Sequence, residues 1–198
     1  MARPKKLPTV LTEDEQARLL EQPTPRYPTG ERNQTMLRLM LKTGLRLAEV
    51  TALKWRDIDL TTGKLMVRQG KGSKDRTLWV AEADIDRLRS WRERQATACV
   101  ATGEHMFTTL NGKALGHRYV QRMVKRYAAK AGIDKNISPH TLRHSFATDL
   151  YRETSKIRLV QKVLGHSDLS TTMIYTHIFD EEVETALKSF RQATAVAV

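Results

Sequence analysis

A single cysteine, Cys99, stands in 198 residues, which excludes an internal disulfide and suits a reducing compartment. No apolar run reaches membrane-spanning length, and the leading Met1-Ala2-Arg3-Pro4-Lys5-Lys6 lacks the apolar segment of a secretory signal. These absences predict a cytoplasmic protein with no membrane partner. There is no complete Walker loop, so chemistry driven by a bound nucleotide is not expected. Acidic residues are in deficit: 22 Asp plus Glu face 34 Lys plus Arg, for a formal charge of +12. That excess favours a polyanionic partner. Ribosomal and nucleoid proteins are equally basic, so charge alone selects no activity. The length suits one well-cored domain and makes two a squeeze.

Five short motifs follow one another along the chain: Thr43-Gly44-Leu45-Arg46, Gly70-Lys71-Gly72, His140-Thr141-Leu142-Arg143-His144, Leu164-Gly165-His166 and Tyr175. They contribute two arginines, a lysine, histidines and a tyrosine, a set matched to phosphodiester chemistry. A phosphodiester repels nucleophiles by its charge and has a poor alkoxide leaving group, so a catalyst must neutralise the first and protonate the second. Arginine holds two phosphate oxygens in its planar fork and stays cationic throughout. A phenolate attacks phosphorus yet leaves readily enough to be displaced later, so bond energy is conserved without a cofactor.

Periodicity predicts a mainly α protein with a small antiparallel β-sheet (α+β). Thr12-Glu13-Asp14-Glu15 reads as a capping box opening a helix to about Gln22, and Pro23, Pro25, Pro28 and Gly30 mark a loop. A second helix is expected over about 31–42, with Met36, Leu37, Met40 and Leu41 buried and Gly44 ending it. Arg46 then starts a third helix with Leu47, Val50 and Leu53 inward, which leaves Arg46 and Glu49 adjacent at i, i+3. A surface salt bridge is the plain reading of that pair. Strands are expected over 64–69 and 76–80, joined by a glycine-flanked basic turn carrying Lys71 and Lys74. In isolation that turn reads as solvated.

Two more helices follow, at about 82–98 with Ile85, Leu88 and Trp91 inward, and at about 117–131 with Val120, Met123, Val124 and Tyr127 inward. The second carries Arg118, Arg122, Lys125 and Arg126 on its other face. Such a stripe fits phosphate contacts, and its first turn, with Arg118, Gln121 and Arg122, is placed to read base edges; a merely solubilising face is the alternative. Ser138-Pro139 is a helix entry, with Leu142, Phe146 and Leu150 as a core stripe. His140, Arg143 and His144 then cluster near a helix start that favours an anion. His140 and His144 share the spacing of a zinc-binding helix, but Thr141 stands where a metalloprotease needs glutamate, so no metal is expected. A helix over about 155–164 stops at Gly165 and delivers His166. A short helix carrying Tyr175 and a final one at about 180–192 complete the chain. The final helix packs on its own domain or on a neighbouring protomer.

The order, residue types and intervals of the motifs, from Arg143 to His166 and on to Tyr175, resemble the tyrosine recombinases, or phage-integrase family, over about 11–191. The resemblance is to the catalytic domain, of the Xer-like or short fimbrial-inversion kind, and implies a catalytic domain over 11–192 between a basic leader, 1–10, and a tail, 193–198. A separate core-binding domain is not expected. It implies that Arg46 and Arg143 clamp the scissile phosphate, with Glu49 orienting Arg46. His140 binds a phosphate oxygen or takes the tyrosine proton, His166 bonds a non-bridging oxygen, and Tyr175 is the nucleophile. Lys71, with Lys74 as competitor, is the general acid on a hairpin that enters the minor groove, while His144 supports the fold. Lys74 and Arg76 are expected on backbone phosphates, and Arg118, Gln121, Arg122 and Lys125 on DNA. The implied partners are double-stranded DNA, further protomers in a dimer or tetramer synapse, and accessory DNA-bending or core-binding proteins; no cofactor is implied. A type IB topoisomerase and a regulator that has lost catalysis are the competing readings.

Overall fold

The computed structural model describes residues 8–68, 75–100, 103–166, 172, 173 and 188. Among them the elements are α1 (Glu13–Glu21), α2 (Pro28–Thr43), α3 (Leu47–Ala52), a 3-10 turn (Trp55–Asp57), β1 (Lys64–Val67), β2 (Arg76–Trp79), α4 (Glu82–Ala98), α5 (His117–Lys130), α6 (Pro139–Thr154) and α7 (Ile157–Leu164). The expected α+β architecture is present. Two compact units divide the chain: the larger is Thr9–Phe146, and the smaller includes Ala147 onward.

In the larger unit, α1 opens on a capping box in which Thr12 Oγ1 accepts the Glu15 N–H and Glu15 reaches back to the Thr12 N–H. The second helix starts three residues earlier than periodicity suggests, because Pro28 occupies its first turn instead of preceding it. Gly30 lies inside that turn, where a Cβ would sit 1.9 Å from the Thr24 carbonyl oxygen. The glycine is there for close approach and does not break the helix. α2 packs against α4 and α1, and α5 packs against α3 and α1. Met36, Leu37, Met40, Leu88, Trp91, Met106 and Phe107 are buried between them. Each such side chain contributes about 1.5–3 kcal/mol on leaving water. Trp91 Nε1 also donates to the Met106 carbonyl at 2.8 Å.

β1 and β2 pair antiparallel, from Lys64 opposite Trp79 to Val67 opposite Arg76. Leu65, Val67 and Leu78 face inward and Trp79 outward. Both strands end a residue or two sooner than expected from alternation. In α6, Leu142 is buried as expected, whereas Phe146 and Leu150 are only half-buried. Leu47 of α3 is likewise half-buried. α7 begins at Ile157, since Ser155 takes a positive φ of 55° and closes α6 with an N–H to the Tyr151 carbonyl.

Candidate active site

The first arginine owes its position to a glycine. Gly44 ends α2 in the left-handed conformation, φ 63°, with its N–H on the Met40 carbonyl at 3.0 Å. The chain then turns so that Arg46 is the extended N-cap residue of α3, one position before the helix. Glu49, three residues on, receives the Arg46 backbone N–H on Oε2 at 2.7 Å and the Arg46 Nη1 on Oε1 at 2.9 Å. The i, i+3 pair is therefore made, but Glu49 is not on the surface. Its side chain is 9% exposed and is also gripped in bidentate fashion by Arg76, Nη1 to Oε1 at 2.7 Å and Nη2 to Oε2 at 2.8 Å. Burial by itself would raise the Glu49 pKa. The bonds from Arg76 and the Arg46 N–H, the Arg76 charge and the bond from the Arg46 side chain outweigh it and lower the pKa to about 2.

The second arginine reaches the same turn. Arg143, on the first turns of α6, is buried, and its Nη1 donates to the Gly44 carbonyl at 2.6 Å. One glycine thus ends α2, sets the entry to Arg46 and anchors Arg143. Ser138 and Thr141 cap the start of α6 reciprocally: Ser138 Oγ accepts the Thr141 N–H at 3.4 Å and Thr141 Oγ1 accepts the Ser138 N–H at 3.2 Å. On that first turn His140 is exposed and His144 half-buried. Burial, then the charges of His140 and Arg143, push the His144 pKa down, which favours a neutral imidazole.

Arg76, expected on a DNA phosphate, bonds Glu49, with its side chain 8% exposed. A matching tie lies on the other strand, where Arg68, just after β1, bonds Asp57 Oδ1 from Nε at 2.9 Å. Asp57 also accepts the Lys54 N–H at 3.0 Å. Sequence reasoning missed both ties. A usable signal existed, since Glu49 and Asp57 each stand three residues after an N-cap, where a carboxylate folds back on the backbone.

In α5, Arg118, Gln121, Arg122 and Lys125 are exposed together, opposite buried Val120, Met123, Val124 and Tyr127. That face is fastened from behind by a buried cluster absent from the sequence reading. Arg32 of α2 stacks over the Tyr119 ring at 5.1 Å, donates to the Tyr119 hydroxyl and bonds the Thr108 carbonyl at 2.8 Å. Asn33 donates to the Tyr127 hydroxyl at 3.1 Å. Burial lowers the Arg32 pKa, against the opposing pull of Tyr119 and Tyr127.

In the smaller unit, Gly165 adopts φ 65° and caps α7, and His166 Nδ1 lies 2.9 Å from the Thr172 hydroxyl. Lys71, Lys74 and Tyr175 fall outside the described residues. Among the described residues no group of three or more His, Cys, Asp or Glu is placed to hold a metal ion. No helix among them is long and apolar enough to cross a membrane.

Comparison with solved structures places this fold. The crystal structure of XerA recombinase superposes with a TM-score of 0.81 at 33% identity, covering 95% of this chain and 67% of that one. XerH site-specific recombinase bound to palindromic difH, a post-cleavage complex, gives 0.80 at 32% identity, covering 94% of this chain and 54% of that one. The fold is that of a tyrosine recombinase catalytic domain. In sequence, the tyrosine recombinase XerC of Xanthomonas axonopodis pv. citri is 44% identical over 175 residues, 88% of this chain and 56% of the relative. Residues 9–182 match the phage integrase family, and the chain belongs to it. It spans about half the length of such relatives.

Proposed function

We propose that this chain carries the catalytic centre of a site-specific DNA recombinase, with its machinery in residues 11–192. The observation that carries this reading is the convergence of Arg46 and Arg143 on the Gly44 turn. The Arg143 guanidinium bonds the Gly44 carbonyl and Arg46 stands two residues beyond it, its guanidinium held by Glu49; two guanidinium groups so placed would form a clamp for a single phosphate. The relatives are named tyrosine recombinases, and the XerH homologue is bound to a DNA site, which supports duplex DNA as substrate.

In this mechanism the Tyr175 phenolate attacks phosphorus, the bond to the 5′ oxygen breaks, and Lys71 supplies that oxygen's proton. The products are a 3′-phosphotyrosyl link and a free 5′-hydroxyl. A 5′-hydroxyl from another strand reverses the step and releases the tyrosine. Arg46, Arg143, His140 and His166 stabilise the charge of the pentavalent phosphate, with Glu49 orienting Arg46 and His144 supporting the helix. Lys74 contacts backbone phosphates, and Arg118, Gln121, Arg122 and Lys125 meet the duplex from α5. The acting species is a dimer or tetramer on DNA.

A nicked suicide substrate tests this reading. The wild-type chain forms a covalent adduct that survives a denaturing gel, and Tyr175→Phe binds the same DNA without forming one. An adduct persisting in Tyr175→Phe rejects the assigned nucleophile. Relaxation of supercoiled plasmid with no exchange of strands would instead indicate type IB topoisomerase activity.

A further inference from the structure

We infer that Arg76 is a positioning residue for the phosphate clamp, acting through Glu49, and is not a DNA contact. The inference rests on the recombinase reading above. Its basis is a junction of three side chains from two elements: Arg46 and Glu49 from α3 and its cap, and Arg76 from the first residue of β2.

Glu49 alone would orient Arg46 at a cost. A carboxylate paired one to one with a guanidinium cancels the charge that the clamp needs for a phosphate. Arg76 changes that balance, because a second cation shares the Glu49 carboxylate and leaves less of it to neutralise Arg46. It also fixes direction. Both Glu49 oxygens are held by both terminal nitrogens of Arg76, so the carboxylate plane is set before it meets Arg46. With its side chain 8% exposed, Arg76 has little surface to offer a DNA backbone. Position along the chain adds a second consequence. Arg76 pairs with Val67, and Arg68 beside it is tied to Asp57. Arg76 is therefore tied to α3 through Glu49, and Arg68 to the 3-10 turn through Asp57.

The test compares Arg76→Gln, Arg76→Lys, Glu49→Gln and the double variant in the full chain, measuring DNA affinity against salt and single-turnover adduct formation on the suicide substrate. Arg76→Gln is expected to keep the wild-type salt slope while adduct formation slows by up to about a hundredfold, the scale of an ångström-sized misplacement. Arg76→Lys should recover part of that rate, since it restores the charge but not the fork. The double variant should be no slower than Glu49→Gln alone, because both changes break one pathway. A salt slope reduced by about one unit in Arg76→Gln would make Arg76 a phosphate contact and overturn the inference. Rate losses that multiply in the double variant would overturn it too. If the wild-type chain forms no adduct, the recombinase reading fails. The inference is then decided by the side-chain NMR signal of Arg46, which must shift in Arg76→Gln and whose constancy rejects the coupling.

Discussion

Glu49 makes the folded chain sensitive to acid in a defined window. Its pKa in the folded protein, about 2, lies below the ordinary 4.5. The carboxylate therefore contributes its full stability above about pH 4.5, and loses it as pH falls through 4.5 toward 2. By linkage that contribution is about 3 kcal/mol. Glu49→Gln should lower the urea midpoint at pH 7, where it leaves Arg76 buried beside a neutral amide. The gap to wild type should narrow sharply at pH 3, and a gap independent of pH would show that the bonds to Glu49 are not charge-assisted. At this scale the sequence was partly legible. The Arg46–Glu49 spacing announced itself because it is local, whereas the partner 27 residues away in Arg76 is fixed only by strand register. Arg32 was unreadable for the same reason, since apart from the adjacent Asn33 its partners, Thr108 and Tyr119, lie on distant segments.

Among the elements, α2 shows why boundaries and packing are harder to read than identity. Pro28 and Gly30 look like punctuation, yet one fits a first helical turn and the other admits the Thr24 backbone. Gly30→Ala should thus behave opposite to the usual helix-stabilising swap. Its Cβ would meet the Thr24 oxygen at 1.9 Å, and a backbone atom cannot rotate aside. A loss of about 1–3 kcal/mol is expected, the usual cost of overpacking, read as a lower thermal midpoint; an increase would mean that the 24–30 segment relaxes freely. α5 was legible in outline because its apolar and basic faces alternate with helical period. Its attachment was not. Tyr119→Phe removes the hydroxyl that Arg32 and Asn33 address and leaves part of a buried guanidinium unpaired. The expected destabilisation is about 1–3 kcal/mol, measured by denaturant titration, and a neutral result would show that the Thr108 carbonyl and the Asn33 side-chain oxygen suffice for Arg32.

For the whole molecule, the balance of +12 becomes meaningful only through its distribution. Part of the basic excess is spent internally, as Arg32, Arg76 and Arg143 are all buried, and this could not be read from composition. Part stands on the exposed α5 face, where Arg118, Arg122 and Lys125 lie with no apolar work to do. The two sets should separate in a salt titration. If α5 meets the duplex, replacing Arg118 and Arg122 together by alanine removes two phosphate-neutralising charges, and the slope of log affinity against log salt should shrink by about 1.8. Should one of them read a guanine edge instead, the slope falls by half as much and discrimination against the wrong base drops by about 1–3 kcal/mol. Stability ought to be unchanged in either case, since both side chains are exposed. An unaltered slope with unaltered discrimination would reduce the α5 stripe to a solubilising face, and DNA would have to approach this fold from another side.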